Sequence, residues 1–213
     1  SAMGDVALSA PVISSVLEQH PTLEIVFLSR QLFRPFFQEH DRLTFVGADL
    51  KGKHKGVFGL KKLQNELLKE HKFDAVVDLH DVLRTKILRF YFKAHGIRCH
   101  SINKGRGEKK GLINGSVPFK KLKHTTQRYL DVFEKANIPS TLSIGPWGST
   151  VISDSTHAFL KINNCEIKNN SWIGIAPFAA HRSKEWPIEK MKFVISQLIS
   201  AGKTVFLFGG GQH

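Results

Sequence analysis

Apolar and polar positions change period along this chain, and each change marks an element. Leu23-Glu24-Ile25-Val26-Phe27-Leu28 is a short apolar, β-branched run, the pattern of a strand buried on both faces. Arg42 to Val46 predicts a second strand. Leu60, Leu63, Leu67 and Leu68 recur at helical spacing among lysines and glutamates, which predicts an amphipathic helix ending near His71. Ala75 to Leu79 reads as a strand, Arg84 to His95 as a helix closed by Gly96, and Ile97 to Ile102 as a strand. Lys121 to Ala136 is helical again. Between Ile138 and Ser171 the periodicity fails. That stretch holds Pro139, Gly145-Pro146-Trp147-Gly148, many Ser and Thr, and the pairs Asn163-Asn164 and Asn169-Asn170. It predicts a linker with a short irregular piece. Periodicity returns with a strand over Trp172 to Ala176, a helix over Pro187 to Ala201 with Gly202 beyond its end, and a strand over Thr204 to Phe208. In that helix Ile188, Met191, Ile195, Leu198 and Ile199 form an expected buried stripe, and Trp186 is expected to pack between helix and sheet.

Alternating strand and helix signals argue for an α/β fold with parallel sheets on both sides of the break. Residues 1–150 form the first expected domain, and residues 151–213 the linker and start of a second. One helix and two strands could not close a stable sheet alone, so the polypeptide is expected to continue past His213. Ser1-Ala2-Met3 reads either as residues ahead of an initiator Met3 or as the turn after a preceding strand.

Composition sharpens the partner class rather than the fold. The 213 residues are 41% hydrophobic and 23% charged, ordinary for a globular protein, and no apolar run approaches the roughly 20 residues that span a bilayer. The first residues hold no basic segment followed by an apolar stretch. Cys99 and Cys165 show neither metal-ligand nor disulfide spacing, which suits a reducing compartment. Charge is the outlier: 31 Lys and Arg against 18 Asp and Glu give +13. The lysines gather at 51–55, 61–62, 104–110 and 120–123, all in the first part of the chain. Such an excess draws a protein to polyanions: nucleic acid, anionic lipid head groups or phosphorylated substrates. Aromatic residues do not interleave the basic clusters and no nucleic-acid module is recognisable, so no nucleic-acid partner is expected.

Two turns carry candidate chemistry. Gly4-Asp5 would place a carboxylate at a helix entrance on the carboxyl edge of a sheet, where open α/β folds bind ligands. Asp5 could there accept a proton from a hydroxyl, or simply cap the helix. The second turn is Ala180-His181-Arg182-Ser183-Lys184, ahead of Pro187 at the expected first helical position. Free N–H groups at that helix end beside Lys184 and Arg182 suit a diphosphate; the alternative is a solvated basic loop. Gly209-Gly210-Gly211 after the last strand permits close approach of a ligand, or only a tight turn. His80 and Arg84 lie just past a strand's carboxyl end. His124 and Arg128, one helical turn apart, either grip an anionic acceptor or face solvent. No Asp-x-Asp pair, P-loop or G-x-G-x-x-G is present, which disfavours metal–nucleotide transferases of the other common architecture, P-loop NTPases and dinucleotide oxidoreductases.

Taken together in order, Ser1 to Pro11, Asp78-Leu79-His80, Lys184-Glu185-Trp186-Pro187 and Phe208-Gly209-Gly210 resemble glycosyltransferase family 9, the ADP-heptose:lipopolysaccharide heptosyltransferases. The resemblance implies a GT-B fold of two Rossmann-like domains, the second incomplete in this chain. It implies an inverting, metal-independent transfer needing no cofactor. Asp5 falls on the family's general base, and Lys184 on the lysine that contacts the donor phosphates. Arg182, Ser183, His181, Gly209 and Gly210 would complete the donor side; Gly4, His80, Arg84, His124 and Arg128 would meet the acceptor. Ala179 and Ala180 stand where hydroxyl residues often precede that lysine. The implied partners are an ADP-sugar and an anionic lipopolysaccharide acceptor at the cytoplasmic face of the bacterial inner membrane. The family's first strand would lie before Ser1 and its later donor motif beyond His213. The rivals are a sugar- or lipid-binding relative without catalysis and a nucleic-acid-binding module.

Overall fold

In a computed structural model the chain divides into two compact units, Ser1–Ser149 and Thr150–His213. The structure describes residues 3–37, 40–143, 153–163, 165, 171–179 and 182–209.

In the first unit, α1 (Met3–Gln19) leads to β1 (Ile25–Ser29), a 3-10 turn (Gln31–Phe36) and β2 (Leu43–Gly47). Then come α2 (Gly56–Glu70), β3 (Ala75–Asp78), α3 (Leu83–Ala94), β4 (Arg98–Ser101), α4 (Arg106–Ile113) and α5 (Thr125–Lys135). β1 pairs with β2 and β3 with β4, both parallel, with Phe27 opposite Phe45 and Val77 opposite His100. The strand period of two sorts their side chains onto two helical layers. Ile25, Phe27, Leu43 and Val77 pack on Val12, Ile13, Val16 and Leu17 of α1 and on Tyr129, Leu130, Val132 and Phe133 of α5. Val26, Leu28, Val46 and Val76 turn the other way, onto Leu60, Leu63 and Leu67 of α2 and Phe92 of α3. Helices on both faces explain why these strands read as unbroken apolar runs. Burying a side chain such as Leu17 contributes roughly 2 kcal/mol.

β1 and β3 are the inner edges of the two ribbons. Residues 23–29 and 72–78 line one apolar cavity of about 320 Å³, roofed by Val6, Ser9 and Ile13 of α1 and floored by Leu67 and Leu88. The cavity lies between two separate two-stranded ribbons.

In the second unit, α6 (Asp154–Ile162) precedes β5 (Trp172–Ile175), a 3-10 turn (Arg182–Lys184), α7 (Ile188–Ser200) and β6 (Thr204–Leu207). β5 and β6 pair in parallel, Ile173 opposite Val205. Several expectations need correction here. The supposed linker contains a nine-residue helix, capped by Ser153, whose Oγ accepts from the Thr156 N–H. Pro187 is the residue before α7 rather than its first. The expected stripe on α7 is not buried: Ile188 is 48% and Ile199 59% exposed, and Trp186 is 48% exposed instead of packed as a plug. A two-stranded ribbon is too narrow to cover a whole helix face. In the first unit, the helix expected from Lys121 begins only at Thr125, because His124 caps it: its Nδ1 accepts from the Thr126 N–H.

Candidate functional site

One candidate site lies at the carboxyl edge of β3, in the first unit. Asp78 Oδ1 accepts the backbone N–H groups of His80 and Asp81, both at 2.9 Å. Arg89 clamps the same turn, with Nε 3.0 Å from Asp78 Oδ2 and Nη2 2.7 Å from Asp81 Oδ1. Asp81 sits at φ 40, a left-handed conformation that Asp tolerates better than most residues. The buried Asp78 carboxylate is therefore spent on holding the turn, and the turn presents His80.

Asp5, in the first turn of α1, and His80 line the same cavity mouth. Burial, then nearby positive charge including Lys104, holds the His80 imidazole below the ordinary histidine range; Asp5 and Asp78 pull the other way. Neutral imidazole and exposed carboxylate are both proton acceptors. Tyr129, from α5, donates its hydroxyl to the Asp5 carbonyl at 3.2 Å and fixes the start of α1. Burial, and then the Asp5 charge, push that phenol up to about 12. Gly4 is exposed in the same first turn, with open space where a Cβ would stand.

The other expected acceptor residues separate. Thr85 lines the cavity, but Arg84 does not; its side chain is exposed beside the turn. Arg128 is committed inward. Its Nη2 meets Glu108 Oε2 at 2.8 Å, Nη1 donates to the Asn103 carbonyl at 3.1 Å, and Nε donates to the Lys123 carbonyl at 3.2 Å. With these bonds made and the side chain buried, Arg128 joins α5 to the loop before α4 rather than offering a guanidinium to an anion. His124 spends Nδ1 on capping and on the Thr126 hydroxyl. Tyr129 had no local sequence signal, since it acts on Asp5, 124 residues away, and Arg89 reads locally only as one more cation on a helix.

A separate candidate site belongs to the other unit. Arg182, Ser183 and Lys184 form one exposed 3-10 turn, and among the described residues none of their side chains has a hydrogen-bond or ion-pair partner. Glu185 folds back, its Oε1 accepting from the Ala179 N–H at 3.4 Å, which draws the two ends of the loop together. Pro187 carries no capping side chain, so the first N–H groups of α7 stay open beside the two cations. Gly209 lies on the Phe178 ring, where an added Cβ would stand 3.2 Å from ring carbons. His181 and Gly210 lie outside the described residues. This turn can hold an anion; the site in the first unit can hold a proton.

Parallel strands alternating with helices, in two successive units, define an α/β protein of GT-B type. The chain belongs to glycosyltransferase family 9 (heptosyltransferase), whose family model matches residues 61–213. Among solved structures it is similar to a glycosyl transferase family 9 protein from Veillonella parvula, at 19% identity and TM-score 0.76, over 99% of this chain and 61% of that one. It is also similar to Escherichia coli heptosyltransferase WaaC bound to ADP-2-deoxy-2-fluoro heptose (18% identity, TM-score 0.65, 100% of this chain and 68% of that one). A third likeness is to E. coli ADP-heptose lps heptosyltransferase II (18% identity, TM-score 0.62, 100% of this chain and 63% of that one). The chain thus spans a little under two thirds of the Veillonella protein's length. No curated protein matches its sequence.

Proposed function

We propose that the protein is an inverting, metal-independent glycosyltransferase that moves a heptose or related sugar from an ADP-sugar to a lipopolysaccharide core or lipid A-type acceptor at the cytoplasmic face of the inner membrane. The family match over residues 61–213, which takes in the Lys184 turn and α7, carries this reading. WaaC's ADP-heptose analogue supports an ADP-sugar as the donor class. Asp5 lies outside the matched span; its assignment rests on its place in the first turn of α1, sharing a cavity mouth with His80.

In this reading the Asp5 carboxylate takes the proton of the acceptor hydroxyl as its oxygen attacks the anomeric carbon. The bond from that carbon to the diphosphate oxygen breaks, and the electron pair leaves on ADP. Lys184, Arg182 and the open N–H groups of α7 offset the charge that develops on the leaving diphosphate. Ser183 and Gly209 border the same ligand. His80 and Gly4 border the acceptor hydroxyl, with Arg84 at the rim.

The test is ADP release from ADP-heptose by the protein, with and without a lipid A-type acceptor. Release that depends on the acceptor is the expected result. Tight ADP binding with no release under either condition would make this a donor-binding protein and overturn the enzymatic reading.

A further inference from the structure

Between β4 and α5 the chain builds a hairpin-like projection whose tip breaks the usual rule for surfaces. α4 (Arg106–Ile113) ends in the turn Asn114-Gly115-Ser116, where Asn114 Oδ1 accepts the Ser116 N–H and Gly115 sits at φ 71. The returning segment is tied to the helix: the Val117 N–H donates to the Gly111 carbonyl at 3.3 Å. The approach is close at Gly111, where an added Cβ would lie 3.1 Å from a Val117 methyl. At the base, Arg128 holds Glu108 and the Lys123 carbonyl together. Arg128 first, with Lys120 and Lys123 adding to it, holds the Glu108 carboxyl below its ordinary range, so both arms converge on that carboxylate.

This bracing leaves Ile113 88% and Phe119 96% exposed. Arg106, Lys109 and Lys110 precede them on one arm; Lys120 and Lys121 follow on the other, all exposed and without an ion-pair partner among the described residues. The acid on the first arm, Glu108, is consumed by Arg128, and Lys123 by Asp131 at 2.7 Å. Exposed apolar side chains ringed by uncompensated cations fit a surface that is anionic outside and apolar beneath. A nucleic acid would want aromatic faces to stack on, and the tip offers one aromatic and one aliphatic residue. A protein partner would have to neutralise five like charges around two small apolar contacts.

We propose that the projection of residues 106–121 docks on an anionic lipid bilayer, seating Phe119 and Ile113 at the boundary between head groups and acyl chains while Arg106, Lys109, Lys110, Lys120 and Lys121 meet lipid phosphates. Its purpose, bringing the site to a lipid-linked acceptor, rests on the proposed function. The docking itself is measured without any transfer, so either can fail alone.

The experiment is flotation of the chain with vesicles of phosphatidylcholine alone and of phosphatidylcholine mixed with phosphatidylglycerol. Binding to the mixed vesicles, weakened by salt, and little binding to the neutral ones are expected. Neutralising Lys120 and Lys121 together (K120Q/K121Q) lowers the partition coefficient by about thirtyfold. Ile113→Ser with Phe119→Ser lowers it by about tenfold or more, and both variants keep the wild-type circular dichroism because all four side chains are exposed. Phe119→Trp adds an emission component that shifts to shorter wavelength on mixed vesicles. Equal binding to both vesicle types, or undiminished binding by the two paired variants, overturns the proposal. So does displacement from vesicles by a single-stranded RNA oligomer whose own binding requires Phe119, which would make the tip a nucleic-acid contact.

Discussion

The two units are built from the same parts to different depths. In the first, α1 and α5 cover one sheet face and α2 and α3 the other, so Val12, Val16 and Val132 are sealed from solvent. In the second, α7 lies on a two-stranded ribbon and has no buried residue; Leu160, on α6, is the buried hydrophobic residue there among those described. The chemistry divides along the same line. The well-packed unit holds Asp5 and His80 through Tyr129, Arg89 and Asp78, whereas the lightly packed one leaves Arg182 and Lys184 extended and unpaired. A proton acceptor needs a fixed position relative to its hydroxyl; a diphosphate clamp tolerates mobile cations, because charge attraction falls off gradually with distance.

The sharpest way to break this division is to remove each charge. Asp5→Ala is expected to lower the transfer rate by about 10²–10⁴-fold while ADP affinity barely moves. Lys184→Ala is expected to weaken ADP binding by about tenfold to a hundredfold by calorimetry. Unchanged turnover in the first variant removes Asp5 as the base, and unchanged ADP affinity in the second removes Lys184 from the donor side.

Stability should divide the same way. Leu17→Ala, at a site 1% exposed, is expected to cost about 2–5 kcal/mol in denaturant unfolding. Ile199→Ala, on the open side of α7, should change stability by less than about 0.5 kcal/mol. Equal costs would mean that α7 is covered as fully as α1.

A pH-dependent effect concerns Tyr129. Its phenol is raised in the folded protein from 10.0 to about 12. Below pH 10 both states keep the proton and this group adds no pH dependence. From pH 10 towards 12 the unfolded chain releases its proton first, so stability falls by an amount approaching roughly 2–3 kcal/mol. Tyr129→Phe should lack that part of the fall, and parallel curves for the two proteins would contradict it. At the acid end the sign reverses: the lowered His80 value means the unfolded chain takes up protons first as pH drops through the ordinary histidine range, and stability falls.

Legibility followed burial. β1 and β3 were readable because strands covered on both faces carry unbroken apolar runs, and α2 because Leu60, Leu63 and Leu67 repeat on one face. α6 was hidden in a stretch whose Ser, Thr and Asn residues are turn formers; here Ser153 and Thr156 serve as cap and first turn instead. α4 was hidden by its glycines and its charge, and it holds its place through Arg128, which comes 20 residues after Glu108. Arg128 itself, legible as a cation on a helix, was not legible as a brace.

By itself the sequence determined what local chemistry dictates: the α/β alternation, the excess of positive charge, and the order of motifs that marks glycosyltransferase family 9. Only the tertiary structure decided which of those residues act together. It brought Asp5 to His80 and to Tyr129, residues 124 positions apart in the latter pair, turned Arg128 inward, and left Ile113 and Phe119 outside. The reason is physical. Propensity and periodicity are short-ranged, whereas a hydrogen bond or ion pair across a sheet depends on where separate elements come to rest, and that is settled by packing.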